Sequence, residues 1–94
     1  MPLSGDAAET VALQALGWLA SQDEMVGAFL ASTGASSTEL AERARDPEFL
    51  GFVLDFMLQD EEGLTAFCVA AGIAPDVPMR ARAGLPGGDL PNWT

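Results

Sequence analysis

The sequence predicts an all-α fold, a single compact bundle of five to six short helices. Apolar residues recur at helical spacing in several windows, whereas no window alternates convincingly with a period of two. Residues that cap helices separate these windows, and 94 residues suit one small domain. We therefore expect a helical bundle over residues 1–84 and a tail rich in proline and glycine over residues 85–94.

Three helices are expected in the first half of the chain. The first is predicted to be capped by Asp6, presents a broad apolar face and is followed by a polar break at residues 22–24. The second ends at Gly34, because glycine readily adopts the left-handed conformation that terminates a helix. Ser36 and Glu39 have capping-box spacing and predict the start of a third, short helix.

The second half predicts three more helices. Asp46 is expected to cap a helix over residues 47–59, since proline at the first helical position loses no hydrogen bond. Its apolar residues lie all round the helix, which is typical of a buried central helix. The acidic residues 60–62 open a fifth helix that ends at Gly72, and a last short helix is expected near residues 76–83.

The two halves of the chain also resemble each other. With an offset of 38 positions, residues 16–34 align with residues 54–72 without a gap. The identical pairs are Leu16/Leu54, Glu24/Glu62, Ala28/Ala66, Phe29/Phe67 and Gly34/Gly72. This predicts two similar helical repeats, at about residues 16–47 and 54–86. Two copies are fewer than the three that a solenoid usually needs, so a compact bundle is expected.

The amino-acid composition excludes several classes of functional site. The chain has no His and one Cys, so it cannot build Ser-His or Cys-His nucleophile pairs or supply the usual zinc ligands. We therefore predict no enzyme, no catalytic residue, no cofactor and no metal. A carboxylate-based enzyme or divalent-cation site stays open as an alternative. Cys68 lies between apolar residues and is expected to be a small buried hydrophobe.

The charge balance limits the partners. Four Lys+Arg against fourteen Asp+Glu give a formal net charge of −10, which disfavours direct binding to nucleic acid or to an anionic membrane. The longest apolar run, residues 49–58, is too short to span a bilayer. No signal peptide is expected, and no small-molecule substrate is evident. A protein partner or self-association is therefore the predicted mode of action.

Six residues are candidates for a site. Asp55 interrupts the most apolar helix, and carboxylates are seldom buried unless they are paired. It therefore faces solvent, forms a buried ion pair with one of the four arginines, or belongs to a functional site. The other five candidates are predicted to bind a partner: Asp60, Glu61, Glu62, Leu90 and Trp93.

Each group of partner-binding candidates also has a purely structural interpretation. Carboxylates in the first turn of a helix complement its dipole, which alone explains the acidic residues 60–62. The alternative is a docking face for a basic partner. The tail with Leu90 and Trp93 is either a linear motif for a partner or a segment that folds back over an edge of the core.

Five segments together resemble a short bacterial family. They are residues 15–20, residues 29–30 with Gly34, residues 46–47, residues 49–58 and residues 60–61. The family is classed as a domain of unknown function, number 3572, and is found mainly in alpha-proteobacteria. The resemblance covers about residues 8–86 and is most specific over residues 53–61. It implies a small helical protein of the bacterial cytoplasm and carries over no catalytic or binding residues.

These observations favour a non-enzymatic protein-interaction or adaptor module. The excess of carboxylates and the absence of histidine support this prediction. A second hypothesis is an acidic decoy that binds a basic nucleic-acid-binding protein, which requires carboxylates spaced along one face. The third hypothesis is the carboxylate-based enzyme or divalent-cation site.

Overall fold

A computed structural model describes residues 3–86, which form six α-helices and a short 3-10 turn. The helices are α1 (Gly5–Ala20), α2 (Asp23–Thr33), α3 (Leu40–Arg43), α4 (Pro47–Leu58), α5 (Glu61–Ala71) and α6 (Val77–Ala83), with the turn at Ser37–Glu39. No strand occurs in this part of the chain. The predicted all-α bundle of five to six helices is therefore confirmed.

Local capping explains where most helices begin and end. The Asp46 and Asp60 side chains accept hydrogen bonds from backbone N–H groups in the first turns of α4 and α5, at 3.0 and 3.2 Å. Gly34 and Gly72 end α2 and α5 with φ angles of 76° and 71°, in the left-handed region that favours glycine. These four positions are the ones that the capping patterns predict.

The cap of α1 differs from the prediction. Ser4, rather than Asp6, is the N-cap, and its Oγ accepts a hydrogen bond from the Ala7 N–H at 3.3 Å. Ser4 has the extended backbone that an N-cap requires, whereas the helix already includes Gly5. Asp6 instead lies in the first turn, where its negative charge favours the helix dipole.

The core lies between α1, α4 and α6. Helices α1 and α4 pack most extensively on each other and on α6, while α2 and α5 lie against them. Helix α1 contributes small buried residues such as Ala8, Ala12 and Ala15, which allow the neighbouring helices to approach closely. The largest fully buried side chains are Phe29, Phe49, Phe67, Leu19, Leu50, Leu54 and Met57.

Both ends of the described chain are held to α6. The Leu3 N–H donates to the Arg80 carbonyl at 3.0 Å, and a Cβ on Gly84 would collide with the Leu3 carbonyl oxygen. After α6, Leu85 is buried in the core. None of the helices in residues 3–86 has the length and apolar character needed to cross a bilayer.

Helix bounds and aromatic contacts recur at the offset of 38 positions. Helices α1 and α4 end at positions 20 and 58, and α2 and α5 cover 23–33 and 61–71. Trp18 packs on Phe67 with ring centroids 6.1 Å apart, and Phe56 packs on Phe29 at 5.3 Å. Adding 38 to position 18 gives 56, and subtracting 38 from position 67 gives 29, so the two ring pairs occupy corresponding positions. The third helices differ, because α6 packs on α1 and α4 whereas α3 packs mainly on the turn before it. The internal repeat stays a prediction.

Candidate functional site

One face of α4 does not pack against the rest of the bundle. The inner face of this helix is buried as predicted, but Phe52 is 55% exposed and Phe56 is only partly buried. Asp55 and Gln59 lie on the same outward stripe, because side chains three and four positions apart are neighbours on a helix. The prediction of a fully buried helix is therefore wrong for this stripe.

The outward stripe of α4 forms one wall of a groove of about 460 Å³, called here the Phe52 groove. Its lining residues are Ser32 and Thr33 at the end of α2, Arg43 at the end of α3, and Phe49, Phe52, Asp55, Phe56 and Gln59 of α4. Its volume falls within the range of about 300–1,000 Å³ that is usual for ligand sites. The groove therefore combines aromatic walls with a polar and charged rim.

Aromatic packing holds the walls of the groove in place. The Phe29 ring meets Phe49 and Phe56 edge-on, with centroids 5.6 and 5.3 Å away. The Arg43 guanidinium carbon lies 5.8 Å from the centroid of the Phe49 ring, within cation–π distance. Phe29 is fully buried, so these contacts connect the groove directly to the core.

Asp55 forms a two-pronged ion pair with Arg82 at the edge of the groove. Arg82 donates from Nε to Oδ1 at 2.6 Å and from Nη2 to Oδ2 at 3.1 Å. The Asp55 side chain is 43% exposed and the Arg82 side chain 17%. The predicted pairing with an arginine is present, but Asp55 lies at the edge of the core because the outward stripe of α4 faces solvent.

Gly51 provides the space for this pair. A Cβ at Gly51 would lie 3.0 Å from Arg82 Nη1 and 3.2 Å from its guanidinium carbon. The guanidinium therefore lies close against the α4 backbone at Gly51. Its Nη1 also donates to the Pro86 carbonyl at 3.0 Å, so one arginine side chain connects α4, α6 and the chain that follows α6.

The predicted acidic candidates lie apart from the Phe52 groove. Asp60 is the N-cap of α5, and Glu61 and Glu62 occupy its first turn. Glu61 and Glu62 are exposed and line a shallow depression with Thr65 and Ala66. The other two candidates, Leu90 and Trp93, lie outside the described residues.

Cys68 is buried in the core as expected and is only 4% exposed. Its burial raises the pKa of the thiol, which disfavours the nucleophilic thiolate. Within residues 3–86, no group of three or more Cys, Asp or Glu residues is placed to hold a metal ion.

A smaller groove lies between α1 and α5, with a volume of about 270 Å³. Its lining residues are Gln14, Gly17, Trp18, Phe67, Ala70 and Ala71. Adding 38 to the α1 positions and subtracting 38 from the α5 positions gives Phe52, Asp55, Phe56, Phe29, Ser32 and Thr33. The two grooves thus occupy matching places in the two halves. The Phe52 groove has Phe52 and Asp55 where the smaller groove has Gln14 and Gly17.

Sequence reasoning missed Phe52 and Arg43 as groove residues. A helix that is apolar all round gives no period that distinguishes its inner from its outer face. One signal was available, because the offset of 38 positions pairs Phe52 with the polar residue Gln14. Gln14 on α1 and Phe52 on α4 are both exposed.

The fold and the groove define a small all-α bundle with an aromatic surface site. A family model described as "Protein of unknown function (DUF3572)" matches residues 5–88. The chain therefore belongs to this family, as the segments noted in the sequence indicated. No curated protein and no solved structure matches the chain.

Proposed function

We propose that this protein is a non-enzymatic interaction module that binds a basic protein partner in the Phe52 groove. The observation that carries the proposal is the 55% exposure of Phe52 beside a groove with aromatic walls. Aromatic side chains that insert into pockets supply most of the energy at many protein interfaces. Covering Phe52 and the ring of Phe56 removes apolar surface from water, which favours binding.

The charge of the chain supports a basic partner. The formal net charge of −10 attracts a basic protein and repels a second copy of the same chain. Close to the groove, the exposed Glu48 lies four positions before Phe52, and the Asp55 side chain is partly exposed. The partner that fits is an apolar side chain flanked by Lys or Arg.

The positions of the carboxylates favour this function over the two alternatives. Within residues 3–86, every carboxylate except Glu9 and Asp55 is an N-cap or lies in the first turn of a helix. An acidic decoy needs carboxylates along one stripe, and a divalent-cation site needs converging oxygens. The carboxylates are instead dispersed over the starts of six helices. This arrangement fits a role in solubility and helix stability better than it fits an acidic decoy or a divalent-cation site.

Capture of the partner from the native cell extract tests the proposal. The full chain is the bait, Phe52→Ala is the test variant, and Val69→Ala is the control, because Val69 is 77% exposed but lies outside the groove. We expect a basic protein that the wild type and Val69→Ala retain and that Phe52→Ala loses. Its Kd for Phe52→Ala should rise by about 30-fold, equivalent to about 2 kcal/mol.

Two further measurements make the result specific. Binding should weaken as the salt concentration rises, because the attraction between the two proteins is partly electrostatic. Circular dichroism should show the same helix content for both variants and the wild type, since both substituted side chains are mostly exposed. Equal capture of the same proteins by wild type and Phe52→Ala would contradict the proposal.

A further inference from the structure

The segment between α2 and α4, residues 36–45, contributes little to the hydrophobic core. Helix α3 and the turn before it contain no buried residue, and α3 packs mainly on that turn. The partly buried apolar side chains of the segment are those of Leu40 and Ala44. The positions on either side are fixed, because Ala35 is buried and Asp46 caps α4. The segment is therefore held at both ends and packs only lightly on the bundle between them.

Local hydrogen bonds determine the internal shape of this segment. The Ser36 N–H donates to Glu39 Oε1 at 2.8 Å in a capping box, and the Ala44 N–H donates to the Leu40 carbonyl at 2.9 Å. These bonds do not connect the segment to the core. Helix α3 has four residues, and a helix of that length is not stable by itself. Segments with few buried apolar contacts open at a lower free energy than core helices do.

Arg43 connects this segment to an aromatic wall of the Phe52 groove. Its guanidinium carbon lies 5.8 Å from the centroid of the Phe49 ring, and both residues line the groove. Phe49 is only 2% exposed, although Phe52, three positions later, is 55% exposed. The fully buried Phe29 contacts Phe49 from the core, whereas the exposed Arg43 contacts it from the surface. Movement of the segment away from α4 would therefore uncover the Phe49 ring and enlarge the groove.

We propose that residues 36–45 form a strap that opens to extend the Phe52 groove onto Phe49, with Arg43 as the latch. The face of a ring that holds a guanidinium in the closed molecule suits the Lys or Arg of a basic partner once the strap is open. This regulatory role rests on the proposed function. The cation of the partner takes the place of Arg43, so affinity depends on the fraction of molecules with an open strap.

Amide hydrogen exchange of the full chain, followed by NMR, tests the strap without a partner. We expect Ala44 to exchange through a local opening that low denaturant concentrations do not change, whereas Leu54, in the core, exchanges when the bundle unfolds. Arg43→Ala should lower the protection factor of Ala44 by about 2–5-fold, as expected for an exposed cation–π contact. Arg45→Ala is the matched control, because it removes the same charge from the strap at a position that does not line the groove.

Two results of this experiment would overturn the proposal. The first is exchange of Ala44 with the same free energy and denaturant dependence as Leu54, because the strap would then open only with the whole bundle. The second is an equal effect of Arg43→Ala and Arg45→Ala, because the contact with Phe49 would then contribute nothing.

A double-mutant cycle assigns the effect to the Phe49 ring. In a Phe49→Leu background, Arg43→Ala should no longer change the protection of Ala44, since the ring that holds the guanidinium is absent. The charge of Arg43 also acts on Glu39, so an undiminished effect in this background would assign it to Glu39 and overturn the latch. Circular dichroism establishes whether Phe49→Leu is folded. If it is not, the comparison of Arg43→Ala with Arg45→Ala decides alone.

These results are separable from those on the partner. If the strap opens locally while capture does not depend on Phe52, the interaction proposal fails and the strap stands. If Phe52→Ala loses the captured protein while Ala44 exchanges only on unfolding, the strap fails and the interaction proposal stands. Where both hold, Arg43→Ala should lower the Kd for the captured protein by about 2–5-fold relative to Arg45→Ala, which has the same net charge. A higher Kd for Arg43→Ala would show that Arg43 itself binds the partner and would overturn its role as a latch.

Discussion

At the scale of single residues, the pair of Asp55 and Arg82 joins elements that lie far apart in sequence. It connects α4 to α6 across 27 positions, through two hydrogen bonds to one carboxylate. Arg82 is the more buried partner, with 17% of its side chain exposed against 43% for the Asp55 side chain. The main role of Asp55 in stability is thus to balance a charge that the fold largely removes from water.

Asp55→Ala should lower the free energy of unfolding by about 1–3 kcal/mol, because it leaves the buried guanidinium without its carboxylate. The exposed fraction of Asp55 keeps the loss below that of a fully buried pair. Chemical denaturation at neutral pH measures it. Asp76→Ala is the control, because its contact with Arg80 is 3.8 Å long and exposed, and such pairs contribute at most about 1 kcal/mol. Equal effects of the two substitutions would contradict the prediction.

Glu39 gives a pH dependence of defined sign. Hydrogen bonds from the backbone N–H of Ser36, at 2.8 Å, and from its hydroxyl, together with the charge of Arg43, lower the pKa of Glu39. A lowered folded pKa contributes stability above the unfolded pKa, and this stability is lost as pH falls through the folded value. Glu39→Ala should therefore be less stable than wild type at neutral pH. The difference should vanish in acid, as followed by denaturation across pH.

At the scale of helices, α6 approaches the N-terminal segment so closely that only glycine fits at the end of the helix. A Cβ on Gly84 would collide with the Leu3 carbonyl oxygen and lie 3.2 Å from the Ala8 side chain. Leu3 is itself held by its hydrogen bond to the Arg80 carbonyl, so this backbone has little freedom to move away.

Gly84→Ala should lower the free energy of unfolding by about 1–3 kcal/mol through this overpacking. Gly27→Ala is the matched substitution, because Gly27 lies inside α2 and a Cβ there meets nothing within 4 Å. It should raise the free energy of unfolding by about 0.5–1 kcal/mol, since alanine favours a helix over glycine. Thermal melting of the two variants should therefore shift in opposite directions, and shifts of the same sign would refute this account.

Helix ends were predictable from the sequence because capping is local. Asp46 with Pro47, Gly34 and Gly72 act within a few residues of their own position, and each performs the role that its pattern predicts. The exposed face of α4 depends on where α6 packs, which is a long-range property. The sequence accordingly offered four arginines for Asp55 and did not distinguish Arg82 from the others.

At the scale of the whole molecule, Cys68 reports on unfolding. It is the only Cys, it is buried, and its raised pKa disfavours the reactive thiolate in the folded state. Modification by a thiol reagent at neutral pH should therefore require opening of the core and be much slower than in denaturant. The less stable Asp55→Ala and Gly84→Ala variants should react faster than wild type. Fast modification of the native protein would show that Cys68 is accessible without opening.

The hydrogen bond between Leu3 and α6 places the two ends of the bundle side by side. Neighbouring ends allow a chain to be joined head to tail and opened elsewhere without loss of its contacts. A short linker from residue 86 to residue 3, with new ends between Arg45 and Asp46, would place α4–α6 before α1–α3 in the translated order. Such a circular permutant should fold into the same bundle, with its two halves made in exchanged order.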